Sequence, residues 1–388
     1  MADFKLIQLR SAADLRAAAP HWDELWYRSD VSAPTARAEL IAQWIDQFAP
    51  RAAFRGLAIE HGGNFVAALP LVAGGVRPFR IGNLPANAWG LCGDLLSDPQ
   101  ANLQDALQPL AEGLSRLSWP LLRLAPVAYA SRRWQLLLPE LRQCSMTWHV
   151  TPIGEVGQVA VQANWDEYQS SWSGNHRRHL RKARKRAERA GSLTLEIHRE
   201  FLPGQVERLF RLACEIEDQS WKGRAGTSIM RSPGMFDWHL RQAQRLADWG
   251  QLQLSFLRHE GKTIACEYGY RAKGTYYSAK VGYDPAYAHF SPGQLLRAML
   301  LERFHNDGET ARVDFWGPLT SATAKWSTQT YPVGRIAIAP NRTASRLMLA
   351  GVAACERFRV RGQVAHPESI IAGAPRKPAP MPLARAEP

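Results

Sequence analysis

The sequence predicts an α/β (α+β) protein of two successive domains, each a mixed, mostly antiparallel sheet flanked by helices. Three observations lead to this fold class. The same order of predicted strands and helices occurs twice, at a spacing of roughly 190 residues, which indicates a duplicated architecture. Short turns join consecutive strands, so most neighbouring strands are expected to be antiparallel. In the second half, one strand–helix–strand step requires a parallel pair.

The first half is predicted to begin with a strand and two helices, and to continue with a hairpin, a strand, a helix and a strand. The hairpin turn is His61-Gly62-Gly63-Asn64, and its glycines suit a tight reversal. The predicted bounds are 4–9 (strand), 12–28 and 35–48 (helices), 54–60 and 65–72 (hairpin), 91–96 (strand), 100–117 (helix) and 121–124 (strand).

The second half repeats this order with clearer patterns. One predicted helix, 205–219, places Leu209, Phe210, Ala213 and Ile216 on one side. Turns at 259–262 and 273–274 join three successive strands. The predicted bounds are 193–198 (strand), 205–219 and 236–249 (helices), 252–256, 263–270 and 275–281 (strands), 291 to about 306 (helix), 311–316 (strand), 320–328 (short helix) and 333–339 (strand).

These elements divide the chain into five segments. An N-terminal domain is expected over 1–155 and a C-terminal domain over 192–345, joined by a basic connecting helix within 156–191. The N-terminal domain is expected to be structural or to bind the acceptor, because the helix that follows Ser97-Asp98-Pro99-Gln100 opens without a glycine. A C-terminal helix is expected over 346–373, and the proline-rich tail 374–388 is expected to be disordered.

Composition excludes several classes of protein. A hydrophobic content of 46% and 14 tryptophans predict a well-packed globular chain of 388 residues. The sequence shows no secretory signal and no apolar run near 18 residues, so no transmembrane segment is expected. Five widely spaced cysteines without a paired motif indicate a reduced, cytoplasmic protein. The 11 histidines show no metal-ligand spacing, so no metal is expected.

Much of the net charge of +13 lies on one predicted helix. Residues 176–189 carry eight Lys or Arg residues against one Glu. Leu180, Ala183, Ala187 and Ala190 form a narrow apolar stripe, so the other faces are expected to be solvated. A charged surface helix is one interpretation. Attraction of an anionic ligand or a membrane surface is the other, with RNA a weaker expectation.

The segment from strand 275–281 into the following helix is the strongest candidate for a ligand site. Ser291 is a predicted N-cap, Pro292 suits the first helical position, and Gln294 would complete a capping box. Gly293 leaves the backbone open to an anion, as at phosphate sites on helix N-termini. The alternative is a well-capped helix without a ligand.

The order and spacing of several motifs resemble the GNAT acyltransferase superfamily, and more narrowly its CelD/BcsL-like branch associated with polysaccharide biosynthesis. The resemblance covers 165–339 well and the first half loosely, as tandem Fem-like domains. The residues that carry it are Trp172, the basic helix 177–189, Ser220-Trp221-Lys222-Gly223, Glu267, Gly282-Tyr283-Asp284, Ser291-Pro292-Gly293, Asp314 and Lys325-Trp326.

The resemblance implies acyl transfer from acetyl-CoA or another acyl-CoA to an amine or hydroxyl of a saccharide or other small polar acceptor. The pyrophosphate would lie at 290–295, and the implied cofactor-binding residues are Val281, Gly282, Phe290, Ser291, Gly293, Gln294 and Leu295. Two features depart from the family: the full Q/R-x-x-G-x-G/A pattern is missing, and Ala324 stands where a tyrosine commonly precedes the lysine.

Acyl transfer needs a base, and two carboxylates are candidates. Glu267 is the first, because strand alternation places it opposite Ile264, Cys266, Tyr268 and Tyr270, among small residues that suggest an open pocket. A buried ion pair is the alternative. Asp314 is the second, at the end of the parallel strand; it would orient Lys325, hold an acceptor hydroxyl or cap the following turn.

Five further side chains complete the predicted site. Tyr283 would protonate the leaving thiolate or pack as an aromatic residue, and Lys325 would contact phosphate or acceptor or remain solvated. Trp221, Lys222 and Arg224 lie in a loop that would cover the substrate or form plain surface. No G-x-S-x-G motif is present, and Cys266 is expected in the core, so a serine or cysteine nucleophile is not supported.

Two other functions stay open. A Fem-like transferase would take its acyl group from aminoacyl-tRNA, and the basic helix 176–189 favours it. A non-catalytic partner protein would keep the fold and bind through the same helix.

Overall fold

The structure is a computed structural model that describes residues 4–74, 80–161 and 164–363. The predicted tail and the end of the predicted 346–373 segment lie outside these residues. The first half contains strands β1 (Lys5–Leu9), β2 (Ala53–His61), β3 (Asn64–Gly74), β4 (Ile81–Asn83), β5 (Leu96–Ser97), β6 (Leu121–Val127) and β7 (Met146–Ala160). Its helices are α1 (Ala12–Ala17), α2 (Ala19–Arg28), α3 (Ala38–Phe48), α4 (Leu103–Ser115) and α5 (Arg132–Gln143).

The second half begins with two helices, α6 (Trp165–Ser170) and the basic α7 (Gly174–Ala190). Its strands are β8 (Leu193–His198), β9 (Leu252–His259), β10 (Lys262–Ala272), β11 (Thr275–Tyr283), β12 (Arg312–Pro318) and β13 (Gln329–Pro340). Its other helices are α8 (Gln205–Gln219), α9 (Trp221–Arg224), α10 (Met235–Asp248), α11 (Pro292–Asp307), α12 (Ser321–Ala324) and α13 (Thr343–Gln363).

One sheet runs through both halves in the order β1-β2-β3-β4-β6-β13-β7-β12-β11-β10-β9-β8, with β5 paired to β3. Only β4–β6 and β11–β12 are parallel among the described pairs. The two repeats exchange their last strands, because β7 lies beside β12 and β13 lies beside β6. The predicted class, a mixed and mostly antiparallel α/β arrangement, is therefore confirmed, and the strands of both halves form one continuous sheet.

The three predicted hairpin turns are present. Each uses a residue pair with positive φ: Gly62 and Gly63, Glu260 and Gly261, and Lys273 and Gly274. Prediction was weaker elsewhere. The predicted helix 12–28 is divided into α1 and α2, the strand predicted at 91–96 is only Leu96–Ser97, and α5 and β7 were not predicted. Because β7 runs from Met146 to Ala160, it crosses the expected domain limit at residue 155.

Buried side chains fill both faces of the sheet. One cluster spans the two halves, packing Trp26 and Trp44 of the first with Phe210 and Trp238 of the second. On the opposite face of the second half, α7 and α11 cover a separate cluster that includes Tyr276, Phe304 and Trp326. The two faces of β10 and β11 thus contact different clusters of buried side chains. Within the described ranges, no helix is long and apolar enough to cross a membrane.

Candidate functional site

Strands β11 and β12 separate soon after they start. Their parallel register covers only three pairs, from Thr275 with Arg312 to Tyr277 with Asp314. Beyond Tyr277, β11 continues to Tyr283 with β10 as its described sheet neighbour. Diverging parallel strands leave an opening at their carboxyl ends, which is where open α/β sheets bind ligands.

The turn between β11 and α11 differs from the predicted capping box. Residues Pro285–Phe290 form a 3₁₀ turn, and Asp284 caps it by accepting from the N–H of Ala286 at 2.9 Å. Ser291 leaves this turn in the left-handed region, at φ 55° and ψ 52°, so its side chain makes no cap hydrogen bond. The prediction of a capping box formed by Ser291 and Gln294 is therefore wrong. Oε1 of Gln294 is buried and has no hydrogen-bond partner in the described part of the chain.

The first turn of α11 presents one open N–H group. Pro292 has none, and the N–H groups of Gln294 and Leu295 both bond to the Ser291 carbonyl, at 3.0 and 3.1 Å. No acceptor among the described residues pairs with the N–H of Gly293. A Cβ built on Gly293 would meet only Cδ1 of Tyr283, at 3.8 Å. The backbone at Gly293 is thus accessible to an anion at the positive end of a 16-residue helix.

The other predicted cofactor residues have different surroundings. Phe290 and Leu295 are buried in the cluster under α7 and α11. Gly282 faces α8, since a Cβ there would lie 2.8 Å from Cα of Glu217. The Val281 carbonyl lies 3.5 Å from Nζ of Lys222.

The basic helix α7 lies beside this turn. Arg186 donates to the carbonyl of His289, His259 Nε2 lies 3.1 Å from the carbonyl of Ala187, and Arg184 approaches Glu302 of α11 at 3.5 Å. The buried stripe is His176, Leu180, Ala183 and Ala187.

The side of α7 opposite the buried stripe carries a second stripe, Arg178, Lys182, Lys185 and Arg189, with Arg181 next to it. All five side chains are exposed, and none has an ion pair or hydrogen bond with the described part of the chain. We call these residues the basic stripe.

Glu267 is buried rather than open to a pocket, with 2% of its surface exposed. Its Oε1 accepts a 2.9 Å hydrogen bond from the hydroxyl of Tyr276, and its Oε2 lies 3.8 Å from Nη2 of Arg297. The open environment predicted for Glu267 is thus wrong. A bulge also moves Ile264 to the same face as Glu267, because the β9–β10 register shifts between Thr263 and Ala265.

Asp314 is also buried, and its partners are local. It accepts from Nε2 of Gln158 at 2.8 Å and from the N–H of Trp316 at 2.7 Å, and it bonds to the side chain of Tyr331. Burial raises the pKa of Asp314, while these hydrogen bonds oppose the rise. Among the described residues, Lys325 is not one of the hydrogen-bond or ion-pair partners of Asp314, so the predicted orienting role of Asp314 toward Lys325 is not supported.

Lys325 lies at the end of α12, near the start of α7. Desolvation and the nearby Arg297 guanidinium lower the pKa of Lys325. Burial, followed by the charge of Lys325, lowers the pKa of His176 to about 4. The structure therefore brings Lys325 and Arg297 together as a positive pair on the α11 face of the sheet.

A narrow pocket opens on the opposite face, between α8 and strands β10–β11. Its floor is mostly apolar, and Glu217 and Lys280 are its charged members. The lining residues are Phe210, Ala213, Cys214, Glu217, Ile229, Cys266, Tyr268, Lys280, Val281 and Gly282. Burial raises the pKa of Cys266 to about 12, which agrees with a core thiol rather than a nucleophile.

Glu217 and Lys280 were missed by sequence reasoning. Glu217 is 4% exposed, bonds to Nζ of Lys222 at 2.7 Å and accepts from the N–H of Ile229 at 3.1 Å. The sequence could have indicated Glu217, because it follows Ala213 by four residues. This spacing places its carboxylate on the apolar side of the predicted helix. Lys280 could have been noticed as the single lysine in a strand of mostly aromatic and apolar residues.

The predicted loop residues border this pocket to different degrees. Lys222 is linked to the pocket through its ion pair with Glu217, which lines the pocket. Trp221 is 61% exposed on the same short helix, and Arg224 is exposed at its end. In the described ranges, no group of three His, Cys, Asp or Glu side chains is arranged to hold a metal ion.

Comparison with known proteins agrees with this geometry. Residues 174–324 match the model of the acetyltransferase (GNAT) domain family. The matched segment begins with α7 and ends with α12, so it includes the β11–α11 turn and the pocket. No curated protein matches the chain.

Solved structures match the whole architecture at low identity. FemX has a TM-score of 0.57 at 12% identity, covering 85% of this chain and 98% of FemX. The C-terminal domain of a protein assigned as a lysylphosphatidylglycerol synthetase from Agrobacterium fabrum has a TM-score of 0.52 at 13% identity, covering 89% and 97%. A protein of unknown function from Bacteroides thetaiotaomicron gives 0.52 at 12%, covering 87% and 100%. These similarities show a shared fold, and within it residues 174–324 are the segment similar to the acetyltransferase (GNAT) domain model.

Proposed function

We propose that this protein transfers an acyl group from acetyl-CoA or another acyl-CoA to an amine or hydroxyl of a small polar acceptor. One observation carries the proposal: β11 separates from β12 and leads into α11, where the Gly293 N–H is open. This arrangement fits a pyrophosphate at the helix start and an extended donor arm between the strands. Lys325 and Arg297 add positive charge along the same opening.

The acceptor enters, in this proposal, from the α8 face, where the pocket lies. Glu217 is the carboxylate placed there to take the acceptor's proton, since Glu267 faces α11 on the other side of the sheet. In this proposal Tyr283, which lies beside Gly293 and is 37% exposed, returns a proton to the leaving thiolate. The exposed Trp221 offers a flat apolar face to a sugar ring. The resemblance to the CelD/BcsL-like branch supports a saccharide acceptor and a role in polysaccharide biosynthesis.

Donor binding is the first test. Acetyl-CoA and longer acyl-CoAs are added to the protein at up to millimolar concentration, and the unfolding temperature is measured. A ligand that binds only the folded state raises this temperature. We expect CoA thioesters to raise it and tRNA to have no effect. Absence of any shift with every CoA compound contradicts the proposal.

The base is tested by comparing Glu217→Gln with Glu267→Gln. We expect Glu217→Gln to lower kcat by about 10²-fold or more with acetyl-CoA binding retained. A larger kcat loss in Glu267→Gln would return the role of base to Glu267.

The second candidate function is a Fem-like transferase that takes its acyl group from aminoacyl-tRNA. The basic stripe favours it, because these cations lie on the helix that contacts the donor turn through Arg186. Several unpaired cations along one helix suit the phosphates of an RNA backbone. An anionic membrane surface or a soluble anionic ligand would use the same charges.

Fluorescence anisotropy with labelled tRNA, together with sedimentation with anionic vesicles, separates these partners. Salt-sensitive tRNA binding without a CoA-dependent thermal shift would favour the second candidate. Binding to vesicles alone would assign the basic stripe to a membrane.

A further inference from the structure

The pocket on the α8 face contains a lysine, Lys280, that has no hydrogen-bond or ion-pair partner among the described residues. The register between β10 and β11 shifts between two pairs, Tyr268 with Lys280 and Gly269 with Ser278, which leaves Ala279 as an extra residue. Such a bulge re-aims the side chains that follow it. Lys280 consequently lines the pocket, just beyond the point where β11 has left β12.

The surroundings of Lys280 do not neutralise its charge. None of the described residues forms a hydrogen bond or ion pair with its Nζ, which lies 5.5 Å from the centroid of the Trp89 ring. Burial and the like charge of Lys222 lower the pKa of Lys280, and Glu217 opposes this effect. Glu217 itself is already engaged by Lys222 and by the N–H of Ile229. A partly buried ammonium without a partner is costly unless a ligand supplies the counter-charge.

A second unpartnered group lies next to Lys280. His239 of α10 is 3% exposed, and neither of its ring nitrogens has a hydrogen-bond partner among the described residues. Lys280 lies close enough for its charge to contribute to the lowered pKa of His239, after the larger effect of burial. The Trp89 ring contacts both, with its centroid 6.2 Å from that of His239. Lys280, His239 and Trp89 thus form a polar cluster where the two halves meet.

We propose that Lys280 binds a carboxylate of the acyl acceptor, so that the acceptor is a small acidic molecule such as an amino acid or an acidic sugar. This inference rests on the proposed function, because it assigns the pocket to the acceptor. Apart from Lys280 and Glu217, whose charge is engaged by Lys222, the narrow lining between Phe210 and Ile229 is apolar and suits a planar carboxylate better than a phosphate. His239 supplies a ring N–H as a second donor, and the Trp89 ring lies within cation–π distance of the Lys280 ammonium.

The test is isothermal titration calorimetry with paired probes in the presence of CoA. The probes are lysine and lysinamide, glycine and glycinamide, glucuronate and glucose, and inorganic phosphate. We expect at least one acid to bind more tightly than its partner without the carboxylate. In Lys280→Met we expect that acid to bind about ten-fold more weakly, with CoA binding unchanged. Lys280→Gln serves as a second variant, and Lys5→Met, an exposed lysine of β1, as the control.

The outcomes separate this inference from the function on which it rests. Three results overturn the inference while CoA binding persists. They are equal binding of the acids and of their partners without the carboxylate, absence of binding by any acid, and tighter binding of phosphate than of every acid. If CoA does not bind, the proposed function fails. An acid preference that depends on Lys280 would then still identify a carboxylate site.

Discussion

The hydroxyl of Tyr276 donates a 2.9 Å hydrogen bond to Oε1 of Glu267, and both side chains are almost completely removed from solvent. The pair joins neighbouring strands β10 and β11 on the face covered by α11. It continues through Arg297, which lies 3.8 Å from Glu267 and donates to the hydroxyl of Ser278 at 3.2 Å. This network connects α11 to the strand along which the donor is proposed to bind.

We expect Tyr276 and Glu267 to be energetically coupled. Tyr276→Phe should lower the free energy of unfolding by about 1–3 kcal/mol, because Oε1 of Glu267 is left buried without its donor. In a cycle with Glu267→Met and the double variant, the coupling should be about 1–3 kcal/mol. Urea unfolding of the four proteins measures it. Additive losses would mean that the hydrogen bond contributes nothing specific.

Asp314 is expected to make stability depend on pH. Burial raises its pKa in the folded state above the ordinary value of 3.8, so between these two values the folded state binds more protons than the unfolded state. The contribution of Asp314 to stability therefore falls as the pH rises through this window. Thermal unfolding of wild type and Asp314→Asn from pH 4 upward should show the difference between them changing in that direction. A constant difference would contradict the assignment.

Lys273 is expected to hold the two halves together. Its Nζ donates to the carbonyls of Trp26, Ser29 and Val31 at the end of α2, with the last two at 3.0 and 2.8 Å. Lys273→Met should lower the free energy of unfolding by about 1.5–3 kcal/mol, since bonds from a charged donor are stronger than neutral ones. The matched control is Lys262→Met. Lys262 is 59% exposed and pairs with Asp284, and its loss should cost about 0–1 kcal/mol in the same urea titration.

The sequence was sufficient for features that depend on local chemistry. The hairpin turns at Gly62, Gly261 and Gly274 could be predicted because positive φ favours glycine in tight turns. The repeated order of elements also allowed the fold class to be predicted. By contrast, β7 was missed because its pairing is non-local: Met146 pairs with Pro340 at the far end of the chain. The strand exchange between repeats depends on this pairing.

In the candidate site, too, only the features that depend on local sequence could be predicted. The helix start at Gly293 could be found from Pro292 and the preceding strand. The role of Ser291 could not, because the 3₁₀ turn before it imposes a left-handed backbone that overrides the local capping preference. Simple alternation also fails to place Lys280, since the bulge at Ala279 breaks the period of two.

The basic stripe on α7 should bind polyanions without supporting the fold. A variant with Arg178, Lys182, Lys185 and Arg189 changed to Gln should unfold at nearly the wild-type temperature, because these side chains lack partners among the described residues. Any salt-sensitive retention of the wild type on RNA or on anionic vesicles should disappear. The control changes four exposed arginines elsewhere, Arg51, Arg132, Arg342 and Arg346, to Gln. Equal loss of retention in the control would assign the effect to net charge.

The open N–H of Gly293 gives the most direct test of donor binding. Gly293→Asp adds a carboxylate at the second position of α11, where space is free and an acidic residue favours the helix. The fold should therefore persist, while acetyl-CoA should bind at least about ten-fold more weakly, because the new charge repels the pyrophosphate. The control is Gln104→Asp at the second position of α4, the counterpart of α11 in the first repeat, where the residue is exposed. Calorimetric titration of acetyl-CoA into both variants measures the two dissociation constants. If Gly293→Asp binds acetyl-CoA as tightly as the control, the phosphates do not lie at Gly293.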